Sequence, residues 1–445
     1  MIFSDPAFLV FIFLPFAAFA FVDRALTLPL PVRGGFVVGL SLIYYWFGPA
    51  ASPALLGLFV VGNYLLLLTA GGNAGILLTF ALLNIAALFY LKAALPHGAP
   101  LGISFHAFQI VGLLIARSQN AFTSIPASVY FLLLTFFPQL AAGPVVRWSQ
   151  AHRFFERWVN RVRSPIRFDW VLLFLATGLA KKTLIADPLY PVVHSLQQAS
   201  TSFSGLDALA FPFLYSVYLY ADFSAYSDIA TGVAHMIGMR MPINFFSPYK
   251  AASPQSFWRR WHRTLYKFLS IDLRFLYGWL RLPGRTAFVL FVFIFSGYWH
   301  GAAWGYVIWG LAHALYFLLF PRNLARRLPG AVQTAVNFTV VSLLWLPFAL
   351  GIPGVIRWAR GLAGCTGADW QKLACTQVSV LHANDFVLLG IGLLLAFLAP
   401  NAFQLARGRT FWPVKRAMAI ILLAFALHAI FILKTGTSAF VYFQF

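Results

Sequence analysis

An all-α polytopic membrane protein is the fold class this sequence predicts, and three observations predict it. Of its 445 residues 61% are hydrophobic and 10% charged, where an average soluble domain carries about 25% charged residues. Apolar stretches recur along the whole chain, more than one water-soluble core of this length can hide. The charges are lopsided: 32 Lys and Arg face 11 Asp and Glu, and Glu156 is the only glutamate. A formal charge of +21 on a polar chain points to nucleic acid. On this apolar background it points to basic loops on the cytoplasmic side of a bilayer. Secreted, disordered and nucleic-acid-binding soluble classes are excluded, and the lipid bilayer is the first partner implied.

The first apolar segment, 7–22, is followed rather than preceded by its basic residues, Arg24 and Arg33. It reads as a membrane segment and not as a cleavable leader. Further apolar segments cover 35–51, 54–70, 74–91, 101–116, 127–145, 170–186, 207–221, 287–299, 302–320, 335–352, 386–400 and 417–433. A span takes about 20 apolar residues, so segments that are shorter, or broken by Pro and Gly, are expected to be re-entrant or half-spanning inside protein. The expectation is about 11 transmembrane helices plus re-entrant and interfacial ones. With no repeat or linker in view, residues 1–445 are expected to form one domain.

Basic clusters orient these segments. Residues 147–182 carry eight Lys and Arg and residues 240–285 carry nine, together 17 of the 32. Arg322, Arg326 and Arg327, then Arg407, Arg409, Lys415 and Arg416, form smaller clusters. With all of them in the cytoplasm, segment 417–433 runs outward and the tail TGTSAFVYFQF faces outside. Segment 386–406 then enters from outside, and the loop 353–385 lies outside. Cys365 and Cys375 share that loop, as a disulfide in an oxidising compartment or as two unpaired small residues. Segments 287–299 and 302–320 make an out-and-back hairpin with His300 near its turn. Five apolar segments lie between Arg33 and Arg147, so one of them is expected not to span.

Ionisable residues inside apolar segments are costly and mark function by default. His300, in FSGYWHGAAWG, stands between two apolar helices, flanked by Trp299 and Gly301. Small residues let a substrate or another helix approach, and a neutral His with an unperturbed pKa of about 6.5 can serve as a general base. The alternative is a His that merely bonds two helices together. His313 reads as a packing residue. His262 lies in SPQSFWRRWHRTLYKFL, where Phe257, Trp258, Trp261 and Leu265 at helical spacing predict an amphipathic helix at the inner interface. There Arg259, Arg260 and Arg263 either hold anionic lipid or, with Trp261, attract a phosphorylated donor from the cytoplasm. Asp222 and Asp228, in YLYADFSAYSDIATG, either orient a base across the fold or are core partners of the cationic loop. Two cysteines and scattered histidines supply no recognisable metal set, so no metal is assigned.

These residues carry a resemblance. FFPQLAAGPVVRW at 136–148, GLAKKTLIAD at 178–187, the run from YLYADFSAYSD to FWRRWHRTL at 218–265, and FSGYWHGAAW at 295–304 resemble the membrane-bound O-acyltransferase (MBOAT) family. The wording is most similar to the bacterial branch that O-acetylates alginate, peptidoglycan and cellulose. FSDPAFLVFIFLPF and GISFHAFQ at 102–109 match the same branch, in order and nearly end to end. The resemblance implies helices around a central tunnel, with the donor entering from the cytoplasm and the acceptor from outside. It implies that His300 is the catalytic His and His262 the second motif His. Trp299, Gly301, Asp222 and Asp228 would then support the tunnel. The donor implied is acetyl-CoA or another acyl thioester, a substrate and not a tightly bound cofactor, and the acceptor is an extracytoplasmic polysaccharide.

Phe440, Tyr442 and Phe445 close the chain as F-x-Y-x-x-F, similar to the terminal motif of the small single-span partner in teichoic-acid D-alanylation. The resemblance implies a relay through the Tyr442 hydroxyl to an extracytoplasmic SGNH-type partner with a nucleophilic Ser. The alternative is an interfacial aromatic anchor. The chain departs from the family wording at three places. His106 stands where Tyr is usual, G-G-N-R is missing after LRFLYG, and SLLWLPFALG at 342–351 lacks an Arg. Transfer of D-alanyl from a carrier protein is the neighbouring enzymatic alternative. A transporter or flippase of a lipid-linked substrate, and a non-catalytic scaffold, are the readings from other classes. The expected location is the bacterial cytoplasmic (inner) membrane.

Overall fold

The computed structural model describes residues 8–26, 28–46, 53–94, 102–140, 143–159, 167–198, 203–282, 284–321, 323, 327–363, 379–408 and 412–431. Among the described residues every regular element is helical, as expected of an all-α membrane protein. The N-terminal helices are α1 (Leu14–Leu26), α2 (Leu30–Trp46), α3 (Pro53–Thr69), α4 (Ala74–Ala94), α5 (Ile103–Ser118), α6 (Ala127–Thr135) and α7 (Trp148–Val159). The middle of the chain forms α8 (Phe168–Lys181), α9 (Asp187–Gln198), α10 (Gly205–Met236), α11 (Pro254–Trp258), α12 (Arg263–Lys267) and α13 (Arg274–Trp279). Then come α14 (Arg285–His300), α15 (Trp304–Leu319), α16 (Gly330–Leu344), α17 (Leu346–Ala363), α18 (Ala383–Phe397), α19 (Ala402–Arg407) and α20 (Trp412–Phe431).

α10 organises the core. Its 32 residues are buried almost throughout, the pattern of a helix enclosed on all sides. Ser204 starts it, the hydroxyl accepting from the Asp207 amide at 3.1 Å. α8 packs tightly against it, because a β-carbon at Gly178 or Gly232 would collide with Ile229 or Leu175. The apolar segment that seemed to end at 221 therefore runs on to Met236, with both of its acids inside the helix. Lysines of the 178–187 segment make that possible. Lys182 Nζ lies 2.8 Å from Asp222 Oδ1 and 2.9 Å from Asp187 Oδ1, and all three side chains are at most 1% exposed. Lys181 Nζ lies 2.7 Å from Asp228 Oδ2 and donates to Ser224 Oγ at 2.7 Å. Of the two readings of these acids, the structure shows core partners of lysine.

α14 and α15 form the expected hairpin, and His300 is the last residue of α14. A β-carbon at Gly297 would fall on the Tyr306 carbonyl and one at Gly310 on the Phe293 carbonyl, so the two backbones touch. Elsewhere apolar segments break. Segment 127–145 leaves helical geometry at Phe136 (φ −58°, ψ 107°) and makes only a short turn at Phe137–Leu140. Segment 335–352 bends by 58° between α16 and α17. Gly351, at φ 62°, interrupts the line again, after which 353–363 continue as helix and not as the start of a loop. Among the described residues two helices, α4 and the 413–430 part of α20, are each long and apolar enough to cross a membrane, and α16 with α17 reaches that length only when the bent pair is taken as one span.

The amphipathic helix expected across 254–265 is not continuous. α11 stops at Trp258, His262 takes the left-handed conformation (φ 42°, ψ 52°), and α12 begins after it. Phe257, Trp261 and Leu265 are buried in the protein and do not lie on lipid. Phe257 and Trp261 stack on one another at 5.6 Å and against Tyr249 at 6.0 Å. Tyr442, with Phe440 and Phe445, and the pair Cys365 and Cys375 lie outside the described residues.

Candidate active site

The turn that breaks the 254–265 segment is held by one amide. Asn244 Oδ1 accepts from Thr264 Oγ1 at 2.9 Å and stands 3.0 Å from His262 Nδ1. An oxygen already accepting from Thr264 accepts from the imidazole too, so Nδ1 carries the proton and Nε2 the lone pair. Asn244 Nδ2 donates to Ser227 Oγ on α10 at 3.1 Å, which ties the ring to the central helix. Phe223 meets the His262 ring edge-on at 4.9 Å, and Phe105 stacks on it at 6.4 Å. A left-handed non-glycine residue is a strained one, and here packing on every side maintains it. Thr264 Oγ1 also accepts from the Val145 amide at 3.0 Å. Arg147 forks onto Asp272 with two 2.7 Å bonds, so the 143–148 loop is stitched to the same region.

His300 and His262 line one small aromatic chamber of about 40 Å³, together with Trp258, Trp261, Ser296, Trp309, Trp345 and Phe348. The His300 ring is edge-on to Trp309 at 5.5 Å and to Phe348 at 4.9 Å. A larger cavity of about 690 Å³ leads to it, and Trp258, Trp261, His262, Leu265 and Ser296 line both. The outer cavity carries three guanidinium groups, Arg259, Arg274 and Arg285, with Ser253, Gln255 and Gln333. A basic vestibule of this volume is within the usual range for small-ligand sites. It narrows onto a small, mostly aromatic pocket containing two imidazoles.

Of the residues singled out in the sequence, His262, His300, Trp261 and Arg259 come together here. Arg260 and Arg263 do not line the vestibule. Arg263 lies over the Phe246 ring at 5.4 Å, and the Arg260 carbonyl accepts from the Phe246 amide at 3.0 Å. Burial, then the neighbouring Arg260 charge, hold the Arg263 guanidinium below its ordinary pKa. Asp222 pairs with Lys182 and Asp228 with Lys181. Trp299 is buried behind His300 against Phe108 at 5.3 Å. Gly301 leaves room for the Tyr306 ring, where a β-carbon would collide.

Some site residues escaped the sequence reading. Lys92, near the end of α4, donates to the Trp299 carbonyl and lies 5.5 Å from that indole. It stands at the frayed end of α14, where carbonyls lack helical donors, one residue from His300. The rule that flags ionisable groups in apolar helices finds it once the 74–91 segment is extended by one residue. Asn244 has no such signal, since MPINFF lacks any periodicity. Arg274 and Arg285 stand outside the FWRRWH motif and reach the vestibule only through the fold.

The profile of the MBOAT, membrane-bound O-acyltransferase, family matches residues 74–346. A peptidoglycan O-acetyltransferase of Helicobacter pylori is 30% identical over 339 residues, 71% of this chain and 64% of that protein. The Pseudomonas putida protein named "Probable alginate O-acetylase AlgI" is 29% identical over 373 residues, 78% of this chain and 75% of its own length. A teichoic acid D-alanyltransferase of Lacticaseibacillus rhamnosus is 27% identical over 314 residues, 59% of this chain and 76% of that protein. The chain spans less than two thirds of the Helicobacter protein and of the Pseudomonas fluorescens protein of the AlgI name, 64% and 62%.

Proposed function

From the premise that this chain belongs to the membrane-bound O-acyltransferase family, we propose that it is an integral membrane O-acyltransferase of the cell envelope. It moves an acetyl group from a cytoplasmic thioester, acetyl-CoA, to a hydroxyl on the outer side of the inner membrane. The observation that carries this reading is the pair His262 and His300 on one aromatic chamber behind a vestibule of three arginines. Those guanidiniums suit the phosphates of a nucleotide thioester. In the transfer, a His300 ring nitrogen takes the hydroxyl proton as the oxygen attacks the thioester carbonyl. The carbon–sulfur bond then breaks and the departing thiolate takes the proton from His300. An ester and a free thiol result, with His300 restored. His262, oriented by Asn244, lies beside the same carbonyl, and the aromatic walls keep water from the thioester.

With the basic windows inside, as the positive-inside rule has it, the C-terminal tail lies outside. Tyr442 is then the first outer acceptor, from which an SGNH-type partner takes acetyl to an envelope polysaccharide such as alginate or peptidoglycan. Support comes from the relatives' names and from the terminal F-x-Y-x-x-F.

The test is thiol release by the purified full chain, together with an SGNH-type partner, in detergent with acetyl-CoA and a mixture of alginate, peptidoglycan and cellulose oligosaccharides. Release coupled to ester formation is expected; vesicle flux without thioester consumption would replace this reading by a transporter. Tyr442→Phe lacks the first acceptor hydroxyl, so it is expected to release little thiol from acetyl-CoA and to fail to acetylate polymer in cells. Full polymer acetylation by that variant would remove the relay.

A further inference from the structure

The two cavities differ in volume by more than tenfold, about 690 Å³ against about 40 Å³. The inner chamber is the narrow end of the pair and its walls are mostly aromatic rings, so a short acyl group fits there and a longer one meets indole. A donor that reaches through the vestibule brings its sulfur to the neck at His262 and Ser296, and everything beyond that sulfur must fit inside. The far wall is rigid. Trp309 and Trp345 stack at 5.4 Å with 20° between their planes. Trp345 is wedged by Trp261 at 5.3 Å and Phe348 at 5.4 Å. Trp309 is 1% exposed and Trp345 3%, so there is no loose side chain to swing aside. Among the described residues no Asp or Glu lines the chamber. An acyl group carrying an ammonium would be buried there without a counter-charge, which is costly.

We propose that the stacked pair Trp309 and Trp345 is the floor of an acyl chamber that admits an uncharged two-carbon acyl group and rejects longer or ammonium-bearing ones. This rests on the acyltransferase reading above and adds to it the side chains that select the acyl group. The selection acts on the group being transferred, so it appears as a difference in kcat/KM between donors. Each further methylene meets indole, and a pocket wall discriminates by about 10–200-fold per methylene.

The experiment uses the purified full chain and an SGNH-type partner with acetyl-, propionyl-, butyryl- and D-alanyl-CoA, the oligosaccharide mixture as acceptor, and thiol release as readout. Two variants from different helices are compared with the parent: Trp345→Ala at the α16–α17 bend, and Leu219→Ala on α10, whose side chain also lines the chamber. The parent is expected to prefer acetyl to butyryl by about 100-fold or more, with D-alanyl unused. Each variant is expected to raise the butyryl-to-acetyl ratio by about tenfold or more, a gain that damage to the fold would not produce. If Trp345→Ala is not recovered folded, Leu219→Ala and the parent's own donor series decide the matter. A parent that takes butyryl or D-alanyl within about threefold of acetyl overturns the chamber, as do folded variants with unchanged ratios. No thiol release from any donor overturns the acyltransferase reading, and this inference with it.

Discussion

His300→Ala is expected to lower acyl transfer by about 10²–10⁴-fold, the usual contribution of a positioned general base. The expectation follows from where the ring stands. It closes the last turn of α14 in a chamber with no carboxylate, among Trp309, Phe348 and Tyr306. His262 is the other imidazole there, and its Nδ1 is committed to Asn244. The loss should fall on kcat more than on KM, because the proposed donor site at Arg259, Arg274 and Arg285 lies in the outer cavity, away from the His300 ring. Thermal unfolding in detergent should move little. Thiol release from acetyl-CoA by parent and variant, with circular dichroism on the same samples, is the measurement. A folded His300→Ala protein that retains parental turnover would end the general-base assignment. A scaffold would tolerate the same change without effect.

Lys182→Met is expected to be the most damaging single change outside the chamber. It leaves Asp187 and Asp222 facing each other in a site where both are at most 1% exposed. Breaking a buried pair costs about 3–5 kcal/mol, a large share of the roughly 5–15 kcal/mol that holds a typical domain folded. Two like charges then add to the loss. Asp222→Asn should be milder, since it leaves the neutral pair Lys182–Asp187 and keeps a hydrogen-bond acceptor. Replacing Lys182 and Asp222 together by apolar residues should not rescue the protein, because Asp187 is stranded. Fluorescence-monitored gel filtration and melting in detergent rank the three variants. Equal melting of Lys182→Met and the parent would show that the triad contributes nothing to stability.

The all-helical class was legible because composition is a bulk property that local detail cannot reverse. The α14–α15 hairpin was legible as well, since HGAAWG interrupts two apolar runs at one point. Other features depend on partners far away in sequence. Asp222 and Asp228 looked like the end of a segment because two acids do not belong in an apolar helix. Lys181 and Lys182, some 40 residues earlier, neutralise them; Lys182 to Asp222 alone is 40 residues. The 254–265 stretch has sound helical periodicity, but periodicity is blind to the left-handed turn at His262, which Asn244 enforces from 18 residues upstream. The basic vestibule was hidden in part for the same reason. A run of arginines announces charge, and only the fold chooses Arg259 from that run and adds Arg274 and Arg285.

The glycine contact between α14 and α15 bears on how this protein can be redesigned. Because the backbones touch at Gly297 and Gly310, the spacing between His300 and Trp309 is set by main chain and not by rotamers. Substitutions along that seam push the base and the chamber floor apart together, so they exchange activity for space. Leu219 and Trp345 stand on α10 and at the α16–α17 bend, away from the seam. A library that seeks new acyl donors while keeping turnover should draw its positions there and leave the hairpin as it is.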